Sequence, residues 1–128
     1  MPRVLFVDDE LDICDVVALY LRERGFATVT AGRGATAREL LTKEPFDLVI
    51  VDAVLPDVRG LELASLARAR AIPVLIVSGN AAAIERNAEL ERYPLLEKPF
   101  HLAALDAAVR GILDGEAASR RPIAESTP

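Results

Sequence analysis

Val4-Leu5-Phe6-Val7-Asp8-Asp9 and Leu48-Val49-Ile50-Val51-Asp52 share one pattern, an apolar run that ends in aspartate. Short uninterrupted apolar runs are typical of strands that a parallel sheet buries on both faces. If the two strands are parallel neighbours, their carboxylates meet at the carboxyl edge of the sheet, where open α/β sheets bind ligands. Two carboxylates about 4 Å apart repel by roughly 4 kcal/mol at an effective dielectric near 20, so the cluster needs a cation. Mg²⁺ is the simplest cation for such oxygens, and it suggests phosphoryl chemistry.

Length and composition limit the class of protein. The 128 residues are enough for one domain with a sizeable core, and a hydrophobic content of 52% excludes disorder as the main state. The formal net charge of −5 gives no general attraction to nucleic acids or anionic membranes. No apolar run approaches the length of a bilayer span, and a single cysteine, Cys14, cannot form an internal disulfide. We therefore predict a soluble, cytoplasmic protein that contacts neither nucleic acid nor membrane directly.

Short β-branched runs alternate with longer segments of helical period, which is typical of a βαβ series. The predicted strands cover residues 3–7, 27–31, 47–51, 73–77 and 94–97. The predicted helices cover residues 11–24, 35–44, 61–69, 81–92 and 102–113. Residues 115–128 have little apolar surface, so we expect a flexible tail after a domain of residues 1–114. The pattern predicts a doubly wound (βα)5 fold of the α/β class.

Two further polar residues follow predicted strands at the same edge. Ser78 comes after the fourth apolar run, and Lys98 comes after the fifth. A phosphoryl acceptor needs a metal, a hydroxyl or amide donor, and a mobile cation such as lysine. Together with Asp8, Asp9 and Asp52, these two residues meet all three requirements.

With these residues in this order, the chain closely resembles the receiver domain of two-component response regulators. The motifs that carry the resemblance are Val7-Asp8-Asp9-Glu10, Asp52-Ala53-Val54-Leu55-Pro56 with Gly60, Ser78-Gly79 and Lys98-Pro99-Phe100. Each motif is weak alone, but each follows a different strand, and the set is highly specific. The resemblance implies a flavodoxin-like fold with a five-stranded parallel sheet and a cis peptide bond before Pro99.

The resemblance also implies roles for the acidic residues. Asp52 matches the aspartate that a sensor histidine kinase or a histidine phosphotransfer protein phosphorylates. Asp9, Asp52 and the main-chain carbonyl of Val54 match direct Mg²⁺ ligands. Asp8 matches the residue that holds the ion through water.

Ser78 and Lys98 match the hydroxyl that turns toward the phosphoryl group and the lysine that pairs with it. In the family, an aromatic residue three positions before the lysine moves together with the hydroxyl. Leu95 occupies that position here, and Tyr93 lies two residues earlier. We therefore expect a switch that works by aliphatic repacking around Leu95 and residues 81–92.

The first predicted helix offers two apolar lines. The predicted core stripe consists of Ile13, Val16, Val17, Tyr20 and Leu21. The remaining line of Leu11, Cys14 and Ala18 is our hypothesis for the surface that docks the kinase or phosphotransfer protein. The alternative, that these are scattered exposed apolar residues without a role, is equally open.

The glycines of the sequence do not predict a ligand site. Gly60 is expected to be a close-packing or turn glycine. The stretch Gly32-Arg33-Gly34 is only a fragment of a phosphate loop, and the loop after the first strand is acidic, so nucleotide binding is not expected.

The leading functional prediction is a stand-alone, single-domain response regulator. Phosphorylation would change the surface built by the fourth and fifth strands and helices, which a downstream protein partner would read. No enzymatic activity is expected beyond self-phosphotransfer and autodephosphorylation. The alternatives are a phosphorylation-independent binding module, a small aspartyl-phosphate hydrolase, and a receiver excised from a larger regulator.

Overall fold

Five strands form one parallel sheet. The computed structural model describes residues 1–79, 89 and 92–119. The strands are β1 (Arg3–Val7), β2 (Ala27–Ala31), β3 (Leu48–Asp52), β4 (Val74–Ser78) and β5 (Leu95–Glu97), and they pair in the order β2-β1-β3-β4-β5. Every pairing is parallel. The sheet confirms the predicted fold class, and the observed strand bounds differ from the prediction by one residue at most.

Helices cover both faces of the sheet. The described helices are α1 (Leu11–Glu23), α2 (Gly34–Lys43), α3 (Gly60–Ala69) and α4 (Leu102–Ser119). Side chains alternate along a strand, so Val4 and Phe6 of β1 pack with α1 and α4, while Leu5 and Val7 pack with α2 and α3. In the described part of the chain, none of the helices combines the length and apolar character needed to cross a membrane.

The last helix is longer than the sequence predicted. Its apolar stripe is confirmed, because Leu105 and Val109 are fully buried and Leu102 and Ile112 pack at the edge of the core. The helix does not stop before Gly115, however, but continues to Ser119. The predicted helix therefore ended too early, because Glu and Ala residues after Gly115 are good helix formers and outweigh one glycine. The predicted helix over residues 81–92 lies, apart from residues 89 and 92, outside the described residues.

The buried face of α1 corrects the docking hypothesis. Cys14 and Ala18 are only 2% and 4% exposed, and they form the core stripe together with Val17 and Leu21. Val16, which was assigned to the core, is 53% exposed. The small side chains let the helix approach the sheet closely, and the Cys14 Sγ–H donates to the main-chain oxygen of Asp8 at 3.2 Å. The predicted core stripe was right at Val17 and Leu21 and wrong at Val16. Because Cys14 and Ala18 are buried, they are unavailable for docking.

The rotation of α1 predicts unequal effects of one substitution at two leucines. Leu21 is fully buried and Leu19 is 61% exposed on the same helix. We expect Leu21→Ala to lower the free energy of unfolding by about 2–5 kcal/mol, because it leaves a cavity in the core. Leu19→Ala should change it by less than about 0.5 kcal/mol. Urea unfolding followed by circular dichroism measures both, and equal losses would contradict the observed helix face.

Candidate functional site

The carboxyl edge of the sheet gathers the predicted site residues. Asp52 and Ser78 are the last residues of β3 and β4, while Asp8 follows β1 and Lys98 follows β5. Asp8, Asp52 and Ser78 are all buried. The main-chain N–H of Lys98 donates to the Ser78 carbonyl at 2.8 Å, which fixes the start of the last loop against β4. The structure therefore brings these four residues to the same edge, and the Lys98–Pro99 peptide bond is cis, as the resemblance implied.

The Lys98 ammonium lies between two buried carboxylates. Its Nζ atom is 2.6 Å from Asp8 Oδ2 and 2.8 Å from Asp52 Oδ2. A third carboxylate oxygen, Glu10 Oε1, lies 3.6 Å from the same Nζ atom. The Lys98 side chain is 14% exposed, so little water competes for these contacts.

Burial and pairing act against each other at this site. Burial raises the pKa of Asp8 above its ordinary value, although the Lys98 ammonium and the Glu10 N–H oppose the shift. Burial alone would lower the pKa of Lys98, but pairing with the Asp52 and Asp8 carboxylates outweighs burial and raises that pKa. The lysine is therefore held as an ammonium at neutral pH.

Main-chain N–H groups orient the two carboxylates. Asp8 Oδ1 accepts the N–H of Glu10 at 2.9 Å, and Asp52 Oδ1 accepts the N–H of Val54 at 2.9 Å. Each carboxylate thus has one oxygen held by its own loop and the other directed at Lys98. A carboxylate fixed in this way needs little reorganisation when a charged group approaches.

The acidic cluster also fits a hard divalent cation. Asp8, Asp9 and Asp52 each offer one oxygen, and these atoms lie within 4.8 Å of one another. Asp8 Oδ2 is buried and, despite the nearby ammonium, makes no hydrogen bond of good geometry to the described residues. Three carboxylates against one ammonium leave two negative charges, which a cation such as Mg²⁺ neutralises.

The loop of residues 53–59, called the β3–α3 loop below, is closed at its base. Val54 and Arg59 pair as an isolated antiparallel bridge, and the Gly60 N–H donates to the Ala53 carbonyl at 3.2 Å. A Cβ atom on Gly60 would collide with the main-chain oxygen of Asp52 and with the backbone of Ala53. The prediction of a close-packing glycine at position 60 is therefore confirmed.

Sequence reasoning missed one residue at the site, Glu10, and one residue that holds the β3–α3 loop, Asp57. Glu10 belongs to the quoted acidic motif, and its spacing from Asp8 was the signal that could have placed it near Lys98. Asp57 accepts main-chain hydrogen bonds from Gly34 and Ala35, which lie more than twenty residues earlier. No local sequence pattern predicts these hydrogen bonds between Asp57 and the start of α2.

The predicted switch residues lie at the start of β5 and just before it. The Tyr93 ring packs against the core between the sheet and α2 and α3, and Leu95 at the start of β5 is exposed. The expectation of aliphatic repacking around Leu95 on phosphorylation stays a prediction.

A sequence model of the response regulator receiver domain matches residues 4–110. The chain belongs to the response regulator receiver family. Phosphorylation is the mechanism general to this family of two-component signalling proteins, and its members bind Mg²⁺ through an aspartate cluster.

Two relatives of different length contain a region similar to this chain. It is 36% identical to the transcriptional activator protein PfeR of Pseudomonas aeruginosa, over 97% of this chain and 42% of that protein. It is 33% identical to the response regulator receiver protein CpdR of Brucella abortus, over 82% of this chain and 91% of that protein. The chain spans about half the length of most of the curated relatives that it matches.

A solved structure of a relative contains the ligands expected for the site. The response regulator TrrA of Thermotoga maritima, in complex with Mg²⁺ and BeF, is 26% identical to this receiver. The match covers 88% of this chain and 99% of that chain, with a TM-score of 0.79.

The shared ammonium predicts a large difference between two lysine substitutions. Without Mg²⁺, we expect Lys98→Met to lower the free energy of unfolding by about 3–5 kcal/mol, because it leaves buried carboxylates unpaired. Lys43→Met is the control, since Lys43 forms an exposed pair with Glu39 within α2 and should cost at most about 0.5 kcal/mol. Urea unfolding in EDTA measures both. A loss at Lys98 no greater than that at Lys43 would show that the ammonium does not hold the cluster together.

Proposed function

We propose that this receiver accepts a phosphoryl group on Asp52 from the phosphohistidine of a sensor kinase or histidine phosphotransfer protein. The observation that carries the proposal is the Lys98 ammonium, shared by Asp8 and Asp52 at the edge of the sheet. The ammonium lies next to the carboxylate that acts as nucleophile, and it supplies the positive charge that the incoming phosphoryl oxygens require.

The transfer step exchanges one bond for another. An oxygen of the Asp52 carboxylate attacks the phosphorus as the bond from phosphorus to the histidine nitrogen breaks, and the imidazole leaves with the bonding electrons. Lys98 pairs with the transferred group, and the Ser78 hydroxyl donates a hydrogen bond to one of its oxygens. Water later hydrolyses the acyl phosphate, so the chain turns over only its own modification and is not an enzyme acting on a separate substrate.

The Mg²⁺ site deepens this proposal. We assign Asp9, Asp52 and the main-chain carbonyl of Val54 as direct ligands, with Asp8 holding the ion through water. When bound, Mg²⁺ neutralises charge on the phosphoryl oxygens. The buried, incompletely bonded Asp8 Oδ2 and the clustering of the three carboxylates support the assignment.

We propose a groove beside α1 as the docking surface for the phosphohistidine partner. The groove has a volume of about 690 Å³, and its apolar lining includes Ile13, Val16, Val17, Phe100 and Leu102. Lys98 also lines it, so a helix lying in the groove would place a histidine next to the acidic cluster. This surface replaces the earlier hypothesis, because Ile13 and Val16 take the place of the buried Cys14 and Ala18.

We also propose that the signal passes to a downstream protein partner rather than directly to nucleic acid, and that the receiver works in the cytoplasm. The chain's negative charge supports protein contacts over nucleic-acid binding. CpdR provides a precedent of similar length for a single receiver, and PfeR provides one for a receiver within a longer regulator.

Phosphorylation by a small donor tests the acceptor assignment. With acetyl phosphate and Mg²⁺, intact-mass spectrometry should show one added phosphoryl group, which hydroxylamine removes. Asp52→Ala should abolish the addition, because the nucleophile is lost. Asp47→Ala is a suitable control, since Asp47 is exposed just before the opposite end of β3. Modification that persists in Asp52→Ala, or its absence together with no beryllofluoride binding, would refute the assignment.

A pair of charge substitutions on α1 tests the groove. The phosphoryl donor is a phosphorylated histidine kinase that is active on the wild-type chain. Val16→Glu should slow transfer from this kinase by at least about tenfold, as expected for a side chain that becomes buried at an interface. Labelling by acetyl phosphate should be unchanged. Leu19→Glu, an exposed substitution outside the groove, should leave both rates unchanged. If the two variants slow kinase transfer equally, the groove is not the docking surface.

A further inference from the structure

Asp57 joins the tip of the β3–α3 loop to the start of α2. Its Oδ1 atom accepts the N–H of Gly34 at 2.9 Å, and its Oδ2 atom accepts the N–H of Ala35 at 3.0 Å. Arg33, at the capping position of α2, makes no side-chain cap hydrogen bond. The first N–H groups of a helix need outside partners, and here one carboxylate from another part of the chain supplies them.

Packing strengthens the same connection. A Cβ atom on Gly34 would overlap the Val58 side chain, so only glycine lets α2 begin this close to the loop. Glycine 34 therefore serves loop packing rather than phosphate binding. The hydrogen bonds from Ala35 and Gly34 lower the pKa of Asp57, so its carboxylate is charged at neutral pH and favours the helix N-terminus.

The connection matters because the loop carries groups of the acidic site. The Val54 N–H holds Asp52 Oδ1, and the Val54–Arg59 bridge ties this end of the loop to its other end. Asp57 and Val58 lie between the two halves of that bridge. A restraint at Asp57 therefore limits how far the Val54 backbone moves relative to Asp52.

We propose that Asp57 is a positioning residue for the metal and phosphoryl site, acting through the β3–α3 loop by its two hydrogen bonds to α2. The inference rests on the proposed function, because it assumes that Asp52 and the Val54 carbonyl bind Mg²⁺. Asp57 itself touches neither the ion nor the phosphoryl group. Its effect is to hold the loop in the conformation that presents the Val54 carbonyl.

Isothermal titration calorimetry with MgCl₂, in the absence of any phosphodonor, tests the proposal. Asp57→Ala should weaken Mg²⁺ binding by about tenfold, the lower end of the effect of outer-shell partners of metal ligands. Asp57→Asn retains one accepting oxygen and should lie between the wild type and Asp57→Ala. Circular dichroism of each variant establishes that it is folded.

Glu62→Gln is the matched control. Glu62 of α3 pairs with Arg38 of α2 at 3.3 Å, so its loss loosens the contact between the same two helices without releasing the loop tip. Its Mg²⁺ affinity should equal that of the wild type. If Glu62→Gln weakens binding as much as Asp57→Ala, general packing of α2 explains the effect and the positioning role is wrong.

Amide hydrogen exchange gives a second readout, independent of phosphorylation. Coupling between two sites is reciprocal, so Mg²⁺ should slow exchange of the Gly34 and Ala35 amides in the wild type by about the same tenfold factor. Unchanged exchange at both amides, or unchanged Mg²⁺ affinity in Asp57→Ala, would overturn the inference. Absence of Mg²⁺ binding by the wild type would instead overturn the proposed function on which it rests.

Discussion

The structure depends on one ammonium group held between carboxylates from different strands. Removing an ionised carboxylate from water costs several kcal/mol unless a partner compensates it. Lys98 supplies that compensation to Asp8 and Asp52 at once, over distances of 2.6 and 2.8 Å. The backbone reinforces the arrangement, because Lys98 begins the loop after β5 and its N–H is bonded to the end of β4.

This compensation is incomplete, which links stability to function. The single ammonium leaves the cluster of Asp8, Asp9 and Asp52 with excess negative charge, and burial holds the pKa of Asp8 above its ordinary value. A cation that binds the folded chain relieves this repulsion and stabilises it by mass action. On the proposed function, a phosphoryl group on Asp52 would add negative charge beside Lys98, so phosphorylation would rearrange the same contacts that stabilise the site.

Sequence reasoning succeeded where the signal was a local pattern and failed where packing decided. Runs such as Leu48–Asp52 predicted the strands, and the polar residues after them predicted which side chains would meet. The face of α1 was predicted only in part, because Val17 and Leu21 are buried as expected but Val16 is exposed. Cys14 and Ala18, which were expected on the surface, are buried instead. The end of α4 was wrong, because one glycine does not stop a helix of good formers. The role of Asp57 was not predicted, because its hydrogen-bond partners are distant in sequence. From sequence alone, Asp57 cannot be distinguished from any other exposed aspartate in a loop.

The most direct test of the account is a crystal structure of the chain with Mg²⁺ and beryllium fluoride. We predict a beryllofluoride adduct on an Asp52 oxygen, the Lys98 ammonium within hydrogen-bond distance of a fluorine, and Mg²⁺ bound by Asp9, Asp52 and the Val54 carbonyl. An adduct on another residue would contradict the assignment of this edge as the phosphoacceptor site. The assignment would also be contradicted if, at saturating Mg²⁺ and beryllium fluoride, Lys98 still bridged Asp8 and Asp52 and no ion occupied the cluster.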